Sequence, residues 1–151
     1  MQGKSPVSLL MEYISRSVEE THEIASRFAE EVLEEEKPVV ILLKGDIGAG
    51  KTTFARGFLR RFGIRKVRSP TFNIIHHYRA GDLNLYHIDL YRLTPGEVDR
   101  LEVWDIVGEG NNIVLVEWYE HAPEDLFDRY WLVEIEMMDE NTRKIRISRH
   151  Q

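Results

Sequence analysis

Between Gly45 and Thr53 the chain reads Gly-Asp-Ile-Gly-Ala-Gly-Lys-Thr-Thr, which carries the spacing of a phosphate-binding loop. In that pattern, backbone N–H groups at a helix N-terminus surround the β and γ phosphates of a nucleotide, and glycines let the backbone close in. Lys51 is placed to reach the β/γ oxygens, and the Thr52 hydroxyl to ligate Mg²⁺. The expected nucleotide-binding set is Asp46, Gly48, Ala49, Gly50, Lys51, Thr52 and Thr53.

A phosphate loop needs a second acidic group for the metal, usually at the end of another buried strand. Glu117 follows the apolar run Ile113-Val114-Leu115-Val116, which places it at a strand's carboxyl end, where α/β sheets bind ligands. It is the favoured magnesium ligand. Asp89, in Leu85-Tyr86-His87-Ile88-Asp89-Leu90-Tyr91, sits on an alternating strand and faces either the site or solvent. His76, His77 and His87 lack a further ligand at zinc-site spacing and read as surface residues of a hairpin. Trp118, next to Glu117, reads as a core or rim aromatic. Asp105-Ile106-Val107-Gly108 imitates a GTPase switch, but the chain contains no Asn-Lys-x-Asp segment to read guanine, so ATP is the expected nucleotide.

These residues need strands and helices that alternate. A short strand over Met11 to Arg16 leads to Ser17, which opens a capping box with Glu20. Val18, Ile24, Ala25, Phe28, Val32 and Leu33 then recur at helical spacing until the glutamates before Pro38. Val39 to Leu43 is a continuous β-branched and aliphatic run, the mark of a strand buried on both faces. After the loop, a helix turns Phe54, Ala55, Phe58, Leu59 and Phe62 inward and stops at Gly63. Phe72 to Arg79 and Leu83 to Tyr91 flank Ala80-Gly81-Asp82 as an antiparallel hairpin. Tyr130 to Met137 and Lys144 to Ser148 make a final pair. The expected architecture is one α/β domain over residues 1–151, a P-loop NTPase-like three-layer sandwich with a mixed, mainly parallel central sheet.

Composition agrees with this and narrows the partners. At 151 residues, with 42% hydrophobic and 30% charged, the chain has the length and balance of one soluble domain. Its longest apolar stretches fall far short of the roughly 20 residues that span a bilayer, and the N-terminus does not read as a signal peptide, so the expected location is the cytoplasm. The absence of cysteine excludes disulfides, thiol catalysis and thiolate metal sites. A net charge of −6 disfavours nucleic acid as the main partner. The local exception is Arg56, Arg60, Arg61, Arg65, Lys66 and Arg68, either a solvated helix face and loop or a docking patch for an acidic partner or RNA.

Four segments in order, GDIGAGKTTFARG at 45 to 57, SPTF at 69 to 72, LYHIDLYRL at 85 to 93 and VEW at 116 to 118, resemble the TsaE (YjeE) ATPase family of tRNA threonylcarbamoyladenosine biosynthesis. The resemblance runs from Val18 to Arg143. It implies a weak, Mg²⁺-dependent ATPase that assists modification of adenosine 37 in tRNAs reading codons that begin with A. Its partners would be TsaB and TsaD homologues, with tRNA met only indirectly or weakly and no membrane involved. By position, Thr52 and Glu117 would hold Mg²⁺, and Asp89 and Lys51 would act at the γ-phosphate. Thr71 would be a nucleotide-sensing switch, and Trp118, Thr21 and Arg143 would approach the nucleotide. Two other readings of the loop are a small-molecule kinase and a nucleotide-sensing binding module without meaningful turnover.

Overall fold

Continuous apolar runs build the centre of the sheet. The computed structural model describes residues 7–66, 74–101, 104–105, 108–122 and 126–151. In chain order these form β1 (Val7–Ser15), α1 (Val18–Leu33), β2 (Val39–Lys44), α2 (Lys51–Arg60), β3 (Ile75–Ala80), β4 (Leu83–Asp89), α3 (Pro95–Asp99), β5 (Asn112–Glu117), a 3₁₀ turn (Tyr119–His121), β6 (Tyr130–Met137) and β7 (Arg143–His150). The sheet order is β1-β7-β6-β2-β5-β4-β3. Four strands, β6, β2, β5 and β4, run parallel and place their carboxyl ends along one edge. Strand β3 on one flank, and β7 on the other, pair antiparallel to them, and β1 pairs antiparallel to β7. This is the mixed, centrally parallel α/β sheet expected.

Alternation along β2 and β5 splits the core into two layers. Ile41, Leu43, Ile113 and Leu115 face α1 and α2, packing with Phe28, Phe54 and Phe58. Leu42, Val114 and Val116 face the other way, against Val98 of α3. Helices α1 and α2 cross closely at Gly57, where a Cβ would lie 2.6 Å from the His22 Cα and 2.9 Å from its carbonyl oxygen. Only a residue without a side chain fits that crossing.

Several elements differ from the sequence reading. Strand β1 begins earlier, at Val7, because its ladder with β7 continues to His150. The Ser17 cap is present, its side chain accepting from Glu20 N–H at 3.0 Å, but the Glu20 carboxylate reaches the Arg16 N–H, at 2.7 Å, not that of Ser17. Val18 is 55% exposed, and the buried stripe of α1 is Thr21, Ala25, Phe28, Ala29 and Val32. Val18 is the residue just after the cap and stands outside the packed part of the helix. Gly63, at φ +84, does end the α2 turn: the Ile64 N–H reaches Leu59 O and the Gly63 N–H reaches Arg60 O, the left-handed helix stop. Strand β4 ends at Asp89, two residues before the expected Tyr91. Helix α3 was not expected, although Thr94-Pro95-Gly96-Glu97 spells a capping box with Pro at the first helical position, and both reciprocal bonds form. Thr71, with the rest of SPTF, and Arg68 lie outside the described residues. Among the described residues no helix is long and apolar enough to cross a membrane.

Candidate functional site

The loop between β2 and α2 is shaped by its glycines. Gly48 and Gly50 adopt φ of +81 and +116, a region that side chains resist. A Cβ on Gly45 would lie 2.7 Å from the Ile135 carbonyl oxygen, so the loop's first residue is pressed against β6. Gly50 caps α2 without a side-chain hydrogen bond, and the first turn of α2 contains no acidic residue. The first backbone N–H groups of the helix therefore meet no capping side chain, and the turn itself carries no negative charge, which leaves them available to an anion.

Sheet order brings the acidic candidates to this loop. Strand β5 lies beside β2, with Glu117 level with Leu43, and β4 lies beside β5, with Asp89 level with Glu117. His87, Asp89 and Glu117 share parity with Leu85, Ile113 and Leu115, so all three occur on the face covered by α1 and α2. Glu117 is 3% exposed, and its Oε2 lies 3.3 Å from the Thr52 hydroxyl. The same oxygen lies 2.6 Å from His87 Nε2. The reading of His87 as a surface residue is thus corrected: it is fully buried and bonded to the candidate metal ligand. His76 is also nearly buried, whereas His77 remains exposed, 2.9 Å from Asn84 Oδ1 and stacked on Tyr86. A hairpin whose second strand is interior to the sheet buries one side of that strand, which a local reading of the hairpin omits.

Lys51 is almost buried, and its Nζ lies 3.6 Å from the centroid of the Trp118 ring. An ammonium over an indole face is a favourable cation–π arrangement. Trp118 adopts φ 60 and ψ 39, a left-handed conformation that costs a bulky residue about 1–2 kcal/mol. Tyr91, 4.8 Å away between ring centroids, packs against it. Burial lowers the pKa of Lys51, and the carboxylates of Glu117, Glu120, Asp89 and Asp46 oppose that shift. The strained tryptophan therefore stands where it covers the loop lysine. His121 secures the neighbouring turn, its Nδ1–H lying 2.8 Å from Leu90 O and 3.1 Å from Leu93 O.

The two chain-end candidates occupy different environments. Thr21 is buried on α1, its hydroxyl 2.7 Å from that of Ser15. Arg143 donates from Nε to the Ala49 carbonyl at 2.8 Å, and its Nη1 meets the carbonyls of Asp139, Glu140 and Thr142. It ties the β6–β7 turn to the phosphate loop, a contact that spans 94 residues of sequence and has no local signature. Of the basic run, Arg56, Arg60, Arg61, Arg65 and Lys66 are exposed; Arg60 meets His22 Nδ1 at 3.1 Å and Arg61 pairs with Glu30 at 3.2 Å. On the helix face, Arg60 and Arg61 thus have partners within the chain.

Asp89 carries a cost that can be measured. Burial raises its carboxyl pKa, and the charge of Glu117 adds to the shift, against the Tyr91 N–H bond and the pull of His87 and Lys51. The folded chain then holds this proton more tightly than the unfolded chain, so ionising Asp89 subtracts stability as pH rises through the raised value. Below the ordinary aspartate range the penalty is absent. Asp89→Asn, which keeps an oxygen for the Tyr91 N–H, is expected to melt above the parent protein at neutral pH, and the gap should close as pH falls toward about 4. Equal melting temperatures at neutral pH would contradict this.

The likeness to known proteins extends along the chain. Residues 15–145 match the family model described as "Threonylcarbamoyl adenosine biosynthesis protein TsaE". The tRNA threonylcarbamoyladenosine biosynthesis protein TsaE of Aquifex aeolicus is 39% identical over 147 residues, covering 95% of this chain and 99% of that protein. The Bacillus subtilis protein of the same name is 42% identical over 107 residues, covering 70% of this chain and 66% of that protein. The crystal structure of Bacillus subtilis YdiB superposes at a TM-score of 0.75 with 31% identity, covering 97% of this chain and 88% of that one. With the family model matching residues 15–145 and a relative 39% identical over nearly its whole length, this chain is a member of the TsaE family.

Proposed function

We propose that this protein binds and slowly hydrolyses ATP with Mg²⁺ in support of threonylcarbamoyladenosine formation at adenosine 37 of tRNA, acting on a complex of TsaB and TsaD homologues. The observation that carries the chemistry is the convergence of Lys51, Thr52, Asp89 and Glu117 at the carboxyl edge of the parallel strands. The tRNA role rests on family membership.

The donor set fits magnesium. Mg²⁺ takes oxygen ligands at about 2.1 Å in an octahedron, which puts neighbouring oxygens about 3 Å apart; Thr52 Oγ1 and Glu117 Oε2 are 3.3 Å apart. Among the described residues no group of three His, Asp or Glu gathers to hold a metal by itself. Thr52 and Glu117 would thus supply two ligands, with phosphate oxygens and water as the rest. Once held there, the ion would neutralise charge on the phosphates and orient them. Lys51 would bring its ammonium from the Trp118 face onto the β/γ oxygens, the loop N–H groups would bind the same phosphates, and Asp89 would orient the attacking water.

Glu117→Ala and Asp89→Asn are expected to fail differently. Glu117→Ala should raise the Mg²⁺ concentration needed for half-maximal ATPase by about 10-fold or more, and Asp89→Asn should leave that concentration alone while lowering the rate by about 10²-fold or more. Titration of Mg²⁺ against ATPase rate decides it; identical metal dependence in the two variants would remove this division of roles.

A further inference from the structure

His87 presents a buried polar group that the proposed chemistry does not use. Its side chain is fully enclosed, and Nδ1 has no hydrogen-bond partner among the described residues. Leaving a buried ring nitrogen unmatched costs stability, so the residue's other nitrogen is where a compensating role is to be found. That nitrogen, Nε2, lies 2.6 Å from Glu117 Oε2. An ionised carboxylate only accepts, so the hydrogen lies on Nε2.

We infer that His87 is a positioning residue for the metal carboxylate: its Nε2–H fixes the plane of Glu117 so that Oε2 faces Thr52 Oγ1. The inference rests on the proposed assignment of Thr52 and Glu117 to Mg²⁺ and deepens it. Three observations carry it. First, Oε2 is the oxygen that both Thr52, at 3.3 Å, and His87 address, so the histidine acts on the ligand atom and not on the far side of the carboxylate. Second, β4 and β5 run parallel with His87 level with Leu115, so the ring reaches diagonally along the sheet to Glu117 and touches the site from behind. Third, both partners are buried, at 0% and 4% side-chain exposure, so water does not compete for the bond. A free glutamate has three side-chain torsions; one N–H from a ring locked in the sheet removes that freedom before the cation arrives. Groups that orient a metal ligand in this way typically change metal affinity by about 10- to 100-fold when removed.

The test compares two amides. The amide nitrogen of His87→Gln falls near the place of Nε2, whereas that of His87→Asn falls near Nδ1 and does not reach Glu117. Mn²⁺, visible by electron paramagnetic resonance, is titrated in place of Mg²⁺ against the full chain loaded with ADP, with nucleotide affinity in the absence of metal as a parallel measurement. The expected result is Mn²⁺ binding weakened by about 10-fold or more in His87→Asn and restored to within about threefold of the parent in His87→Gln, with metal-free ADP affinity unchanged in both. Parent-like Mn²⁺ affinity in His87→Asn overturns the inference, and so does equal weakening in both amides. A measurement on the parent protein does not depend on the variants folding: ¹⁵N-edited NMR of the His87 ring should place its proton on Nε2, and a ring protonated on Nδ1 alone overturns the inference. Failure of the parent protein to bind Mn²⁺ together with ADP would instead remove the magnesium assignment itself.

Discussion

Lys51→Ala is expected to lower the ATPase rate by roughly 10²–10³, the loss typical when a preorganised group at the developing charge is removed, and to weaken MgATP binding measured by calorimetry. The residue opens α2, in a first turn with no acidic residue and no capping side chain, so its ammonium is the charged group that this turn offers to a phosphate. It is only 6% exposed, with its head at the Trp118 face. A nearly buried cation resting on a ring face is already partly desolvated, with its stem packed, so it has less to lose than an exposed lysine when it engages an anion. Arginine should not substitute, because a planar guanidinium on a different stem does not place a compact point charge where the lysine ammonium stands. Lys51→Met keeps the stem over the ring and serves as the control for folding. A folded Lys51→Ala protein with parental ATP affinity and turnover would remove the phosphate-loop assignment.

What could be read from the sequence follows the range of the forces involved. The phosphate loop is local: three glycines, a lysine and a threonine within eight residues specify a backbone path, and the structure bends it at Gly48 and Gly50. The β2 and β5 runs were also legible, because a strand buried on both faces has an almost unbroken apolar composition, and Glu117 stands out as the charge that ends one. Helix α3 was legible in principle, through Thr94-Pro95-Gly96-Glu97, but five residues carry no apolar period to support the cap. His87 was beyond a local reading. Its burial comes from β4 lying between β3 and β5, and its bond to Glu117 spans 30 residues. Asp89 was ambiguous for the same reason: only the register with β5 sets it level with Glu117. The Arg143 contact with Ala49 required the β6–β7 turn to fold back onto the loop, which no local pattern signals; only the family resemblance pointed Arg143 toward the nucleotide.

The isolated protein is expected to hydrolyse ATP slowly, and the TsaB and TsaD homologues of the proposed complex to accelerate the chemical step. Phosphoryl transfer spreads negative charge over the equatorial oxygens, and an arginine supplied there contributes roughly 10³ to 10⁵ in rate. Among the described residues no arginine hydrogen-bonds or ion-pairs with Thr52, Asp89 or Glu117. Arg143 is near the loop, but its Nε is occupied by the Ala49 carbonyl and its Nη1 by three carbonyls of the β6–β7 turn. Arg92 follows Asp89 by three residues. On a continuing strand it would point to the opposite face, yet β4 stops at Asp89, so that alternation does not apply. Arg92 is exposed in the turn beyond the strand, next to Tyr91, which packs on Trp118. A partner surface laid over this rim would either supply a cation of its own or press Arg92 inward. Single-turnover hydrolysis measured alone, with saturating partners, and with partners plus Arg92→Ala separates these cases. Acceleration that survives Arg92→Ala places the cation on the partner, and acceleration lost with it places the cation here. A fast isolated rate that partners leave unaltered would refute the prediction, because the site would then complete its own charge.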